Sequence, residues 1–516
     1  MLPSTTELIA RLVEAAADRS PRLRRVIPVI PGLGTVGFEM VLNDLWQICQ
    51  PAVPAFLDHL REFDAAATPS LAHAFLGQWL DAGHSVITTN YDRLIERTWE
   101  GRTRFDRDAA DDTGFAEWER DVQRGALFKI HGSLQRTSSC LAALEHVGTT
   151  TTGRRRDLLL HVFSRHPMCF VGWRGVDPDV PPVLRATLAD RPRDLPLFWV
   201  HHTAGSKRGV SPLLREVASI RPIVGSADEI LGRLDVDGAA ARRLADAVAA
   251  HPPAKRPQVR VDLASACSVS GVSRFAGISL RRAGHERLAL RAFDVAAIEA
   301  QQVPEWASAR EERALTLWAN ARGGDRGEMA ARNVVGHVYS TLRRRPGVAH
   351  AETQGPLFGY LSMTVSLAGR HPSLVARLPR LFRIQRAALA DARAVGADPV
   401  GVDIQAMLTD LYEGRLRLLL AGRLALRSAR LKRWILVPYR RARSRASSLP
   451  ERSLHARFDV LAGYAVALAR LGDCRSCLAE LDELDRLSLL LSDPRRLAHW
   501  DEQRATIARF CPPEAG

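Results

Sequence analysis

The chain has 516 residues and a formal net charge of +15, from 72 Lys and Arg against 57 Asp and Glu. Its length sets an expectation of about two to four domains, and an apolar fraction of 46% places it with globular rather than disordered proteins. No run approaches the roughly 18 uncharged apolar residues of a membrane span, and Met1-Leu2-Pro3 leads into a polar helix start rather than a signal peptide. The expectation is a cytoplasmic protein with no membrane association.

The first element is a helix over residues 1–20. Ser4 and Glu7 have capping-box spacing, and Leu8, Ile9, Leu12 and Val13 form one apolar face. Residues 21–35 read as a connection rich in Pro and Gly. Its fragment Gly32-Leu33-Gly34-Thr35-Val36-Gly37 has phosphate-loop offsets, but the prolines before it suit an ordinary loop better. Helical spacing returns over Phe38 to Leu60 and over Pro69 to Ala82, and Gly83 supplies a stop.

Val86-Ile87-Thr88-Thr89-Asn90-Tyr91-Asp92 then reads as a buried strand ending in a polar turn, with a helix from Arg93 onward. Two later stretches repeat the pattern: Leu127-Phe128-Lys129-Ile130-His131-Gly132, and Cys169-Phe170-Val171-Gly172-Trp173 after a helix over Arg154 to Arg165. Further strands are expected over Leu195 to His202 and Pro222 to Val224. Alternation of strands and helices implies an α/β region, Rossmann-like, with a mostly parallel doubly wound sheet. In such sheets ligands bind beyond the carboxyl ends of the strands, so these three strand ends are expected to face one pocket.

Residues 252–263 form the linker and divide the chain into domains 1–251 and 264–516. Beyond it the text is helical and rich in Ala, Leu and Arg, interrupted at Gly284-His285, Gly324-Asp325 and Gly472-Asp473. Helical hairpins of this kind bury each other's apolar faces, as in tetratricopeptide-like repeats; the period is irregular. Within it, Arg415 to Arg445 holds eleven Lys or Arg and no acid. An anion or nucleic acid is one reading; a solvated helix face is the other, favoured by the lack of an aromatic ladder. The seven cysteines are scattered. Only Cys474 and Cys477 have metal-ligand spacing, without the second pair a structural zinc needs, so neither a metal site nor a disulfide framework is expected.

Thr88-Thr89-Asn90-Tyr91-Asp92, Lys129-Ile130-His131-Gly132-Ser133 and Phe170-Val171-Gly172-Trp173 through Asp177 resemble, in order and spacing, the three signatures of sirtuin-like domains. Gly37-Phe38-Glu39, the helix carrying Pro69, His73 and Leu76, and Phe198-Trp199-Val200-His201 fit as well. The resemblance covers about residues 1–235 and is closer to the bacterial branch found in anti-phage defence proteins than to protein deacetylases.

The resemblance implies NAD as the bound substrate. By it, Asn90 holds the nicotinamide ribose or positions a water, and His131 acts as general base or polarises the ribose hydroxyls. Asp92 contacts the carboxamide or holds the turn. Gly172 lets the backbone approach the adenosine ribose, and Asp177 supports that loop. Thr88, Thr89, Tyr91, Gly132 and Trp173 complete the binding set. Two departures accompany it. The two CxxC pairs of the zinc-bearing deacetylases have no counterpart near these motifs, which points to the zinc-free hydrolase branch. The family's opening strand and Gly-Ala-Gly loop are not seen before Ser4, as if the chain entered just after them. The implied activity is hydrolysis of NAD to nicotinamide and ADP-ribose, with the helical region sensing a phage trigger, binding a protein partner or forming a homo-oligomer. The alternatives are a non-catalytic nucleotide sensor or scaffold, and an NAD-dependent deacylase.

Overall fold

Two small parallel sheets and a long series of packed helix pairs make up the chain in its computed structural model. The structure describes residues 5–28, 38–101, 103–104, 115–144, 153–173, 180–188, 191–192, 194–201, 220–252, 267–321, 324–344, 350–421, 425–426, 428–449, 453–489 and 494–511. The chain divides into two compact units, Met1–Pro21 with Pro28–Ser268 and Arg22–Ile27 with Val269–Gly516.

The first unit opens with α1 (Thr5–Arg19), whose Ile9, Leu12 and Val13 are fully buried. Ser4 and the glycine fragment 32–37 lie outside the described residues. The expected connection holds a short helix, α2 (Pro21–Val26), and the expected single helix over 38–60 is two: α3 (Phe38–Ile48) and α4 (Ala52–Ala66). Pro51 and Pro54 account for the break, since proline fits a first helical turn and disrupts an interior. α5 (Leu71–Asp81) follows. The N–H of Ser70 donates to His73 Nδ1 (3.1 Å), which caps the start of that helix.

The sheet expected as one is two. β1 (Val86–Thr88), β2 (Thr103–Arg104) and β3 (Leu127–Lys129) form the first, in the order β1-β3-β2, all parallel. β4 (Met168–Val171), β5 (Leu197–His201) and β6 (Ile220–Val224) form the second, in the order β4-β5-β6 and again parallel. Two-residue β2 carries too little periodicity to be read from sequence. α6 (Trp118–Arg124), α7 (Thr137–Leu144), α8 (Gly153–Arg165) and α9 (Val180–Leu188) lie between strands, and α10 (Ala227–Leu234) and α11 (Ala239–Ala250) follow β6.

Apolar clusters bury β3 completely and the other strands only in part: β1 is half-buried, and Cys169 of β4 and Arg221, Pro222 and Val224 of β6 are exposed. Phe128, Phe163, Phe170 and Trp199 form one cluster, with Ile87 and Trp173 packed against it. Leu80, Ile95, Trp99 and Leu127 form another, which takes in Val86 and Leu76. Leu76 also packs with Val171 beside Phe75 and Leu231. β1 and β4, outer strands of separate sheets among the described residues, thus share helix α5 on one side.

The second unit runs through α12 (Val269–Arg282), α13 (Glu286–Glu299), α14 (Val303–Asn320), α15 (Asp325–Arg343), α16 (His350–Ala368), α17 (Leu378–Ala394), α18 (Pro399–Ala421), α19 (Ala429–Ser448), α20 (Leu454–Arg470), α21 (Cys474–Leu489) and α22 (Pro494–Phe510). Sequential helices pack on one another, and the Gly284-His285 and Gly472-Asp473 pairs each stand between two successive helices, as Gly324 does before Asp325 opens α15. Gly284 and Gly472 have φ of 83° and 74°, the left-handed conformation that ends a helix. Helix crossings reuse one device. A Cβ on Gly277 would lie 2.5 Å from the Phe293 ring, one on Gly336 2.7 Å from Tyr360, and one on Gly414 2.6 Å from Tyr439. Each glycine is a notch that an aromatic ring from a neighbouring helix fills.

Cys49 pairs with Cys267 and Cys474 with Cys511, each with Cα atoms 5.2 Å apart. The cysteine content predicts no disulfide framework, and the structure holds these two disulfides. Their partners are 218 and 37 residues apart in sequence, and spacing alone cannot reveal such pairings. Among the described residues no helix is long and apolar enough to cross a membrane.

Candidate functional site

Register builds the site. Thr88 pairs with Lys129 at the ends of β1 and β3, and the Ile130 N–H donates to the Thr88 carbonyl (3.0 Å). Because the strands are parallel, the residues after both pairs emerge at the same end of the sheet. Thr89, Asn90, Tyr91 and Asp92 leave β1 there, and His131 and Gly132 leave β3. The Tyr91 and His131 rings lie 6.3 Å apart, and the Leu134 N–H donates to the Tyr91 carbonyl (2.8 Å).

The turn after β1 is held by side chains. The Thr88 hydroxyl accepts from the Asn90 N–H (3.0 Å), and the Asp92 carboxylate accepts from the Leu94 N–H (3.1 Å). Asp64, fully buried on α4, accepts from the Arg93 N–H (2.8 Å), from Arg93 Nε (2.7 Å) and from Arg97. Where a helix is expected from Arg93, the structure has one 3₁₀ turn, Glu96–Thr98. The N–H groups of Arg93 and Leu94 are engaged by carboxylates, which fastens the turn after β1.

Gly132 is required twice over. Its φ is 87°, and a Cβ there would meet the Ser139 backbone at 2.5 Å. The Ser133 N–H donates to Ser139 Oγ (2.9 Å), fastening this turn to α7. Asn90 is exposed at the strand end, while His131 is only 2% exposed.

Beneath these residues lies a polar group that sequence reasoning passed over. Lys129, on the central strand, is 1% exposed; its Nζ donates to the Asp92 carbonyl and to Glu96 Oε1 (2.9 Å). Burial raises the Glu96 carboxyl above its usual range, and Lys129 opposes the shift. Burial lowers His73 below the ordinary imidazole range, against the pull of Asp92 and Asp228, which both favour its charged form. The signal available in the sequence was Lys129 itself, a charge inside a strand that otherwise reads as buried.

The third strand end belongs to the second sheet. Gly172 ends β4 with φ of 67°, and a Cβ there would meet nothing within 4 Å. Its need for glycine is conformational, with open space around it. Trp173 packs 5.2 Å from Phe170 and 5.3 Å from Trp199, so its ring is part of the sheet's aromatic cluster. Asp177 lies outside the described residues. A cleft of about 530 Å³ lined by Glu117, Trp118, Arg120 and Asp157 includes none of the candidate residues. Among the described residues no group of three or more His, Cys, Asp or Glu side chains is arranged to hold a metal ion.

What the geometry brings together is Thr88 through Asp92 with His131 and Gly132: an exposed amide, a carboxylate and a buried imidazole at one sheet end. Such a set can bind a polar ligand, orient water and move a proton. No curated protein and no solved structure matches the chain. The family model of the SIR2-like domain matches residues 84–223, a span that begins just before β1 and ends within β6. The chain therefore carries a SIR2-like domain over residues 84–223, which implies NAD-related chemistry, followed by a large helical region.

Proposed function

We propose that the SIR2-like domain hydrolyses NAD to nicotinamide and ADP-ribose, and that the helical region carries the trigger-sensing or partner-binding role of an anti-phage effector. The observation that carries the reading is the Thr88–Lys129 register, which supports joint action by Asn90 and His131. Breaking the nicotinamide–ribose bond passes through an oxocarbenium-like state, as glycoside hydrolysis does. Asn90 would hold the ribose or the attacking water, and the His131 imidazole would take a proton from it. Asp92, through its hydrogen bond to the Leu94 N–H, keeps the Asn90 turn in place. Thr89, Tyr91 and Gly132 would serve the nicotinamide side; Gly172 would let the backbone approach the adenosine ribose, with Trp173 beside it, and the family pattern gives Asp177 the role of supporting that loop.

The test incubates the full chain with NAD and measures nicotinamide by chromatography. Asn90→Ala and His131→Ala should each lower the rate by about 10²-fold or more. No release, or release unchanged in both variants, overturns the reading. Heat of NAD binding without turnover would select the rival reading, a non-catalytic nucleotide sensor. Faster nicotinamide release with an acyl-lysine peptide than with NAD alone would select deacylation.

A further inference from the structure

Helix α19 contains no Asp or Glu. Its Ile435, Leu436, Tyr439, Ala442 and Ala446 are buried in the core of the helical unit. That apolar face is already occupied, so α19 cannot lay it into a lipid surface. At about 100° per residue, Arg430, Arg433, Trp434, Val437, Arg440 and Arg441 fall in an outward sector about 120° wide. All six are exposed.

Neutralisation along this face is incomplete. Arg441 meets Asp410 and Glu413, both at 3.1 Å. The same two carboxylates also take Arg386 from α17, Arg417 from α18 and Arg445. Four guanidiniums thus share two carboxylates, an excess of 4 − 2 = 2 positive charges. Arg430, Arg433 and Arg440 make no ion pair among the described residues. Arg417 also stacks 4.8 Å from the Trp434 ring and donates to its carbonyl (2.7 Å), which fixes a ring that is 43% exposed.

We propose that the outward face of α19 binds a nucleic-acid duplex through its backbone phosphates, without reading sequence. Arginine is suited to this because its planar fork meets phosphate oxygens in pairs. From Arg430 to Arg441 the row spans about 16 Å, room for several phosphates of a duplex. A duplex fits better than a single strand. Single-strand sites stack successive bases on several aromatics, and Trp434 is the sole exposed large aromatic among the described residues of α12 to α19.

The test is fluorescence anisotropy of the full chain with a labelled duplex of about 20 base pairs over a salt series. Arg430→Ala/Arg433→Ala/Arg440→Ala should weaken binding about 10-fold or more and lower the slope of log Kd against log salt by about 2 to 3. A charge-matched control, Arg287→Ala/Arg291→Ala/Arg326→Ala, alters three exposed arginines of α13 and α15 and should change binding less than about 2-fold. An unchanged thermal midpoint in both triples shows that the fold is kept. Equal loss in both triples, no loss in the first, no duplex binding, tighter binding to a single strand of the same length, or capture by anionic vesicles in place of the duplex would each overturn the proposal.

Discussion

Lys129 shows how much one buried charge decides. It sits on a strand whose other residues are apolar, and it ties β3 to the turn that carries Asn90 and Asp92. Removing one partner of a buried pair leaves the other uncompensated. Lys129→Met should therefore destabilise the first unit by about 3 kcal/mol in a urea titration, and adding Glu96→Leu should recover more than half of that loss. In the second unit Glu311 is the telling titratable group. Burial pushes its carboxyl up to about 7, with Glu312 adding to the rise and Arg274 opposing it. A carboxyl raised on folding binds its proton more tightly in the native state, so its contribution falls as pH rises from the ordinary glutamate range to about 7. Glu311→Gln should raise the thermal midpoint at pH 8 and leave it nearly unchanged at pH 4. An equal shift at both would show that titration is not the cause.

Among elements, the two strand-end glycines separate two kinds of requirement. Gly132 has positive φ and a backbone neighbour 2.5 Å from any Cβ, whereas Gly172 has positive φ and open space. Gly172→Ala should cost only the left-handed backbone term, about 1 to 2 kcal/mol. Gly132→Ala adds displacement of the Ser139 backbone and should cost more, read as a larger fall in the denaturation midpoint. Equal effects would mean that the turn into α7 yields freely. Helix and strand identities in this region were largely legible, because period 2 and period 3.6 are local properties. Helix ends were less so. The helix expected after Asp92 is one turn, and the segment is fastened by Asp64, 29 residues away, which accepts from the Arg93 N–H. In the arginine-rich segment the carboxylates that pair are Asp410 and Glu413, which stand just before it, and Glu480, which stands 37 residues beyond Arg443.

Across the whole molecule, two levels of information separate. Residue order by itself determined the class: parallel α/β text, a shift of composition near residue 252, then helices punctuated by glycine turns. It also determined the three motif positions, since each is a run of apolar residues followed at once by polar ones. These features depend on nearest neighbours along the chain and survive without coordinates. Tertiary structure alone decided which motifs meet. Parallel register brings the turn that carries Asn90 and the turn that carries His131 to one sheet end, while Gly172 ends a strand of the other sheet and Trp173 joins its aromatic cluster. Folding also paired Cys49 with Cys267, buried Lys129 against Glu96, and sorted the arginines of α19 into those held by Asp410, Glu413 and Glu480 and those left facing solvent. The reason is physical: burial, ion pairing and register are contacts between residues far apart in sequence, and only the folded chain brings them within reach.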